Sequence, residues 1–420
     1  MSFQLAKRRY PVREKAAVAW QAAYPLTFDA AAEYSMILRP FSGFMDYQLF
    51  KQGKAMDRES KRFFDVPLPL TLEDDRLTTT VSFPQEDKYI AELFAGETLL
   101  TRTTLYALEE DLYHALPLKG DCHLHTCVSD GTESPEMVAA HWRRIGFDFV
   151  AITDHREYRG SVQAKAKLDP LGTDFLILNG EEVHSPGNPV HIVSLGAGES
   201  ITDWYREDSR DYDAAVAQKL QSITQPLDEK QRYYAAASMA VFDRIRQAGG
   251  LSVLCHTHWV WPEVMQQTED AAFYLMDRRC FDAYELLSVQ GGHPGTRDEA
   301  STQMQLSAYH GYENYPVLGN SDSHMREHQG NFTLVFAREY TEEGVKNAIR
   351  RGMTVAGNAH KLYGNLRLVK YAYFWLDELA PLHDRACVVQ GIPLEQYAAG
   401  KADVDFSDVK TAVSDYFRSV

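Results

Sequence analysis

Apolar and polar positions change texture along the chain. Residues 12–24 (VREKAAVAWQAAY) are Ala-rich, and this run predicts a helix stopped by Pro25. Short apolar or alternating runs follow at 34–38, 47–50, 63–72, 78–83, 89–94 and 98–108. Breaks such as Arg39-Pro40-Phe41-Ser42-Gly43 and Glu73-Asp74-Asp75 separate them, and such spacing predicts a small β-sandwich. After about 118 the pattern becomes strand, helix, strand. Strands are expected at 122–126, 147–153, 175–178, 191–195, 251–255, 281–288, 316–319 and 332–336. Helices are expected from Ser134-Pro135-Glu136 to near Gly146 and at 235–248, 262–278 and 296–310. A further helix at 341–351 is capped by Thr341. Alternation of this kind predicts an α/β class, as a barrel or a doubly wound sheet. Residues 199–233 are polar and acidic with few apolar anchors, and read as an insertion and candidate lid. The last stretch is helical in pattern, with Phe406, Val409, Val413 and Phe417 on one face. The expected organisation is therefore a β-rich domain over 1–115, a larger α/β domain over 116–365 and a helical extension over 366–420 that packs on it.

Composition narrows the function. At roughly 150 residues per domain, 420 residues allow two or three domains. Lys and Arg number 43 against 59 Asp and Glu, a net charge of −16, which argues against general nucleic-acid binding. It leaves room for a short oligonucleotide or a small anion held by local positive charge. No apolar run of about 18 residues offers a membrane span. The start, MSFQLAKRRY, has no apolar stretch behind its charges, so no secretory signal is expected. Five cysteines, an odd count, do not form a disulfide framework, and a cytoplasmic protein is the expectation.

Seven segments place His, Asp or Glu around predicted strands. They are Asp121-Cys122-His123-Leu124-His125-Thr126 with Ser129-Asp130-Gly131; Ile152-Thr153-Asp154-His155; Gly180-Glu181-Glu182-Val183; His191; Cys255-His256-Thr257-His258; Tyr284-Glu285; and Asn320-Ser321-Asp322-Ser323-His324. His123 and His125 are two apart on a strand and therefore share a face. Any one of these alone is more simply a packed histidine or a helix cap. Together they would converge on the face of an α/β barrel where strands end. Burying so many polar groups without metal would leave donors and acceptors unsatisfied, so a multinuclear metal site is expected.

The ordered set HxHT(x)2SDG, ITDH, GxE, HIVxLG, a strand-end His and GNSDxH resembles the PHP superfamily, the polymerase and histidinol phosphatase metal hydrolases, over about residues 119–360. The N-terminal segment resembles β-rich appendages that some members carry. The resemblance implies a distorted (β/α)7 barrel and up to three divalent metals. His123, His125, Glu182 and Asp322 would hold the first. Glu182 would bridge to a second, held by His191 and His256. Asp130, His155 and His324 would hold the third. A complete ligand set disfavours a decayed member. Glu181, His184 and His258 are then candidates to support ligands or touch substrate. Imidazole and carboxylate ligands without thiolate suit Mn, Zn or Fe. Arg156, Arg159 and Arg326 follow metal-site motifs and are candidates to contact a substrate anion, with Arg156, Arg326 and His258 as the catalytic set and His258 as the proton donor to a leaving group. Trp259 and Trp261 are candidates for a pocket wall, and His293 in its Gly-rich loop for a late arrival at the site. Cys122, Cys127 and Cys255 flank the motifs, and Cys122 should point away from the metal face. The implied activity is hydrolysis of a small phosphorylated metabolite or nucleotide, mono- or diester, by metal-activated hydroxide in a trinuclear site. The alternative is hydrolysis of aryl esters or carbamates on the same metals. A non-enzymatic, metal-stabilised scaffold is the least favoured reading.

Overall fold

The computed structural model describes residues 3–41, 66–256, 269–288, 315–326 and 330–419. The expected strand at 47–50, the start of that at 63–72 and the helix at 296–310 lie outside them. So do His258, Trp259, Trp261 and His293. The chain divides into two compact units between Ala115 and Leu116.

The first unit is built from β1 (Phe3–Leu5), β2 (Arg9–Pro11), β3 (Lys15–Ala22), β4 (Tyr34–Pro40), β5 (Leu68–Glu73), β6 (Arg76–Ser82), β7 (Asp87–Ala95) and β8 (Thr98–Leu108). They form one continuous eight-stranded sheet in the order β1-β3-β6-β5-β4-β7-β8-β2, in place of the two separate sheets of a sandwich. Three residue pairs between β4 and β5 join its halves. One apolar cluster draws Trp20 and Leu77 from one half and Met36, Tyr89 and Leu105 from the other. The helix expected at 12–24 is instead β3, paired antiparallel with both β1 and β6. Val18 and Trp20 alternate into the core, so pairing on both edges outweighs the helix preference of the alanines.

The second unit carries β9 (Leu116–Leu124), β10 (Phe149–Ile152), β11 (Leu176–Leu178), β12 (Gly180–Val183), β13 (Ile192–Leu195), β14 (Leu251–Leu254), β15 (Ala283–Leu287), β16 (Val317–Gly319), β17 (Phe332–Ala337), β18 (Thr354–Gly357) and β19 (Leu362–Gly364). The class is mixed α/β. Among the described residues, these strands do not hydrogen-bond into one seven-stranded ring. They divide between a six-stranded sheet, β11-β10-β9-β17-β18-β19, and a five-stranded sheet, β12-β13-β14-β15-β16. β9, β10 and β11 run parallel because the helices Pro135–Arg144 and Arg159–Leu168 carry the chain back between them. β12, β13 and β14 run antiparallel. Strands such as FVAI and LSVL are buried throughout, which explains their unbroken apolar character.

Two isolated bridges, Leu124 to Ser323 and His155 to Glu182, stitch the seam between the sheets. The residues at this seam are those that the motifs single out.

The segment 199–233 is better anchored than its polarity suggests. It forms the helices Asp203–Arg206 and Arg210–Ser222 and leads into Glu229–Gln247, capped by Asp228. Tyr205, Tyr212, Val216 and Ile223 are buried in the core cluster. Ile201 joins them there, so a few well-spaced apolar residues suffice to anchor the segment. The C-terminal helices are Leu366–Glu378, Ala380–Ala398 and Ala412–Ser419. Val413 and Phe417 share the last of these, whereas Phe406, also buried, and Val409 precede it.

Candidate metal centre

β9 ends in His123-Leu124-His125, and its alternation points both imidazoles to one side. Both are fully buried, as are Glu182 from β12 and Asp322 after β16. The backbone fixes the meeting. Asp322 N–H donates to His123 O at 3.0 Å, and His125 N–H to Ser323 O at 2.9 Å. Arg156 N–H donates to Glu182 O at 2.9 Å. Gly131 belongs to this arrangement, because a Cβ there would stand 2.7 Å from the His125 carbonyl.

Glu182 is the hub. Its Oε2 lies 3.4 Å from His123 Nε2, 3.5 Å from His125 Nε2 and 2.6 Å from His155 Nδ1. Its Oε1 lies 2.7 Å from His191 Nδ1 and 3.1 Å from His256 Nε2. Asp322 Oδ1 stands 2.9 Å from His125 Nε2 and 3.4 Å from His123 Nε2. Nearer solvent, half-exposed Asp130 is 3.5 Å from His155 Nε2 and 3.4 Å from His324 Nε2. All nine residues expected as ligands therefore lie in one cluster.

Electrostatics bind the cluster together. Burial alone would raise the Glu182 pKa, but His155, His191 and His123 hold it well below the ordinary carboxylate range. Asp322 is lowered in the same way by His123 and His125 against its burial. Burial opposes a charge on His256, yet Glu182 and Asp322 lift it to about 9. For His191 burial prevails and lowers it to about 3. Asp322, His256 and Arg156 also hold φ of 51°, 25° and 58°, left-handed values that side chains other than glycine seldom adopt. Among the described residues, three of the seven non-glycine positions with such values thus lie at this seam.

The donor set fits metal. His123 Nε2 and His125 Nδ1 are buried without a hydrogen-bond partner among the described residues. Two ligands about 2.1 Å from one ion stand roughly 3.0–3.4 Å apart, depending on its geometry. The imidazole–carboxylate separations of 2.9, 3.4 and 3.5 Å around Asp322 and Glu182 match that spacing. Cys255 Sγ is 4.0 Å from Glu182 Oε1, but burial, then Glu182 and Glu285, push its thiol pKa well above the ordinary value. It is a neutral neighbour.

Three supporting acids emerge from the fold. Glu285 on β15 is fully buried, 3.2 Å from His123 Nδ1 through each carboxylate oxygen. It also accepts from His256 N–H and the Asn320 amide, each at 3.2 Å. The sequence marks it only as an acid within the apolar strand FDAYELLS. Asp154 accepts from Thr126 N–H, Thr126 Oγ1 and Ser129 Oγ, each at 2.7 Å, and so fastens the loop after His125. Asp121 accepts from Ser321 N–H at 3.1 Å and Trp142 Nε1 at 3.0 Å. Glu181 faces away and accepts from the backbone N–H groups of Ile201 and Thr202 and from Ser200 Oγ. A carboxylate that orients a ligating imidazole supports metal affinity. Glu285→Gln is therefore expected to weaken metal binding about 10- to 100-fold, read by chelator competition. Unchanged affinity would remove Glu285 from this role.

The other sequence candidates are spread. His184 Nε2 is 2.9 Å from His155 Nδ1 and 3.7 Å from Glu182 Oε2. Arg156 lines a cleft beside His184. Arg159 pairs with Glu157 at 3.3 Å on the surface. Arg326 reaches Met137 Sδ at 3.0 Å, and no contact joins its guanidinium to the cluster among the described residues. Cys122 is buried and Cys127 exposed.

No family model matches the sequence, and no curated protein is similar to it at a significant level. Solved structures similar to it include a two-domain protein from Bacteroides vulgatus containing a predicted PHP-like metal-dependent phosphoesterase. That match has 20% identity over 62% of this chain and 70% of the other, with a TM-score of 0.44. A protein from Bifidobacterium adolescentis, provisionally described as a metal-dependent phosphoesterase, is 17% identical over 59% and 93%, with a TM-score of 0.36. An amidohydrolase from Chromobacterium violaceum, with bound sulfate and no metal, is 19% identical over 49% and 87%, with a TM-score of 0.32.

Proposed function

We propose that the chain is a metal-dependent hydrolase of the PHP superfamily that cleaves small phosphate esters. The observation that carries this reading is the cluster itself: six imidazoles and three carboxylates at one seam, with His123 Nε2 and His125 Nδ1 buried without a hydrogen-bond partner among the described residues. His123, His125, Glu182 and Asp322 would hold one ion, Glu182, His191 and His256 a second, and Asp130, His155 and His324 a third. Divalent ions held by such residues supply Lewis acidity toward a phosphoryl oxygen and lower the pKa of water. The protein's own part is positional. Glu285 keeps the His123 ring turned, Asp154 holds the loop after His125, and the seam's backbone bonds hold Asp322 and Glu182 against the imidazoles. Exposure of Asp130 at 54% and His324 at 32%, against full burial of Glu182, puts the solvent-facing side at the third group of ligands. Substrate enters there in this reading.

Elemental analysis of the purified protein, with hydrolysis of p-nitrophenyl phosphate, bis-p-nitrophenyl phosphate and p-nitrophenyl acetate in Mn2+, tests it. About two to three ions per chain with phosphate-ester turnover are expected. Turnover of the acetate alone would move the assignment to a carboxylic ester or carbamate hydrolase. Less than about one ion per chain after loading would overturn the ligand assignment.

A further inference from the structure

A cleft of ≈ 910 Å³ opens beside the cluster, lined among others by Arg156, His184, Asn188, Tyr205, Arg206 and Tyr234. Its volume suits a small ligand. His184 belongs to both places: it lines the cleft, and its Nε2 lies 3.7 Å from the hub carboxylate of Glu182. Tyr205 and Arg206 come from the 199–233 insertion. Tyr205 Oη donates to the His184 carbonyl at 3.1 Å, and the Arg206 guanidinium donates to the Arg156 carbonyl. The insertion thus builds a wall directly on residues adjoining the centre.

The charges are informative. The chain carries −16 overall, yet two guanidiniums line this cleft against one carboxylate, Glu157. Arg206 is shared with Asp203 at 3.4 Å and Glu157 at 3.5 Å. The Arg156 guanidinium has no ion-pair or hydrogen-bond partner among the described residues. Its backbone, held at a φ of 58° with its N–H on the Glu182 carbonyl, fixes where its side chain leaves the main chain. Guanidinium groups grip phosphate and carboxylate through paired N–H donors.

We propose that this cleft is a specificity subsite, in which Arg156 and Arg206 bind a second anionic group of the substrate while its scissile phosphoryl group lies at the metal centre. The substrate class is a small phosphate monoester bearing a further phosphate or carboxylate. This inference rests on the phosphoesterase reading for its scissile group.

The full-length, Mn2+-loaded protein is assayed on phenyl phosphate, 4-carboxyphenyl phosphate and 1,4-phenylene bisphosphate, which differ only in the second group. At least one of the doubly anionic esters is expected to exceed phenyl phosphate in kcat/KM by about tenfold. The member favoured tells carboxylate from phosphate. Arg206→Ala and Arg156→Ala each reduce that ratio toward one, and Arg206→Lys retains part of it. No preference in the parent protein, or a preference that survives both alanine variants, overturns the subsite. Calorimetric binding of the bisphosphate against phenyl phosphate gives the same comparison without turnover. If no ester is cleaved but the tenfold binding difference and its loss in the variants are seen, the subsite stands and the hydrolytic reading fails.

Discussion

Asp322→Asn is expected to purify with less metal than the parent and to hydrolyse phosphate esters about a thousandfold more slowly, a loss of several kcal/mol of transition-state stabilisation. The asparagine keeps the shape of the side chain and removes its charge. It also tolerates the left-handed backbone at this position, where φ is 51°. The fold is therefore retained, and the effect reports on the carboxylate. That carboxylate faces His125 at 2.9 Å and His123 at 3.4 Å. An amide there offers one neutral oxygen and turns N–H donors toward the remaining ligands. Elemental analysis and kcat/KM check the outcome, with thermal unfolding as the control for folding. Parental metal content together with parental activity would refute Asp322 as a ligand.

Asp148→Ala is expected to cost about 3–5 kcal/mol of stability, because it removes the one fully buried carboxylate shared by two buried basic side chains. Asp148, just before β10, accepts from Arg143 Nη1 at 3.0 Å and lies 2.8 Å from His383 Nε2, and all three side chains are fully buried. Its other oxygen accepts from Lys119 N–H at 2.8 Å, in β9, the strand that carries His123. Arg143 also pairs with Asp174 at 2.7 Å and donates to Gln390 at 2.7 Å. The network ties the helix Ala380–Ala398 to the sheet that carries the centre.

The pH dependence follows from the same contacts. Burial would raise the Asp148 pKa, but His383 and Arg143 bring it below the ordinary 3.8. Its contribution is present above about pH 4 and is lost on acidification. Burial would lower the His383 pKa, but Asp148 and its neighbours lift it well above the ordinary 6.5. That contribution is complete below about pH 6.5 and is lost as pH rises through the raised value. The stability gap between parent and Asp148→Ala is therefore widest between about pH 4 and 6.5 and narrows on both sides. Urea titrations across that range check it. A gap below about 1 kcal/mol throughout would mean that the network is neutral in energy.

The chemistry-bearing motifs were legible because strand alternation and strand ends leave local signatures. His123 and His125 share a face by simple period, Asp130 returns from the loop that follows them, and His155, His256 and Asp322 follow apolar runs. The strand Lys15–Ala22 was not legible, because its alanines favour a helix locally and only the pairing with β1 and β6 decides otherwise. The insertion 199–233 read as loosely held, because the value of Tyr205, Tyr212, Val216 and Ile223 depends on the surface they meet. Adjacent acids likewise differ by face: Glu182 turns to the imidazoles and Glu181 to the backbone of residues 201 and 202.

By itself the sequence determined the α/β character of the larger unit, the kind of donors at its centre and the pairs that act together over one strand or loop. Those properties depend on spacing of a few residues, which backbone geometry converts directly into direction. Only the tertiary structure decided that the strands divide into two sheets and that Leu124 and Ser323, His155 and Glu182 join them at a seam. It alone placed Glu285 behind His123 and Arg206 beside Arg156. These are contacts between segments distant along the chain. They follow from which apolar faces pack together, and no local pattern encodes them.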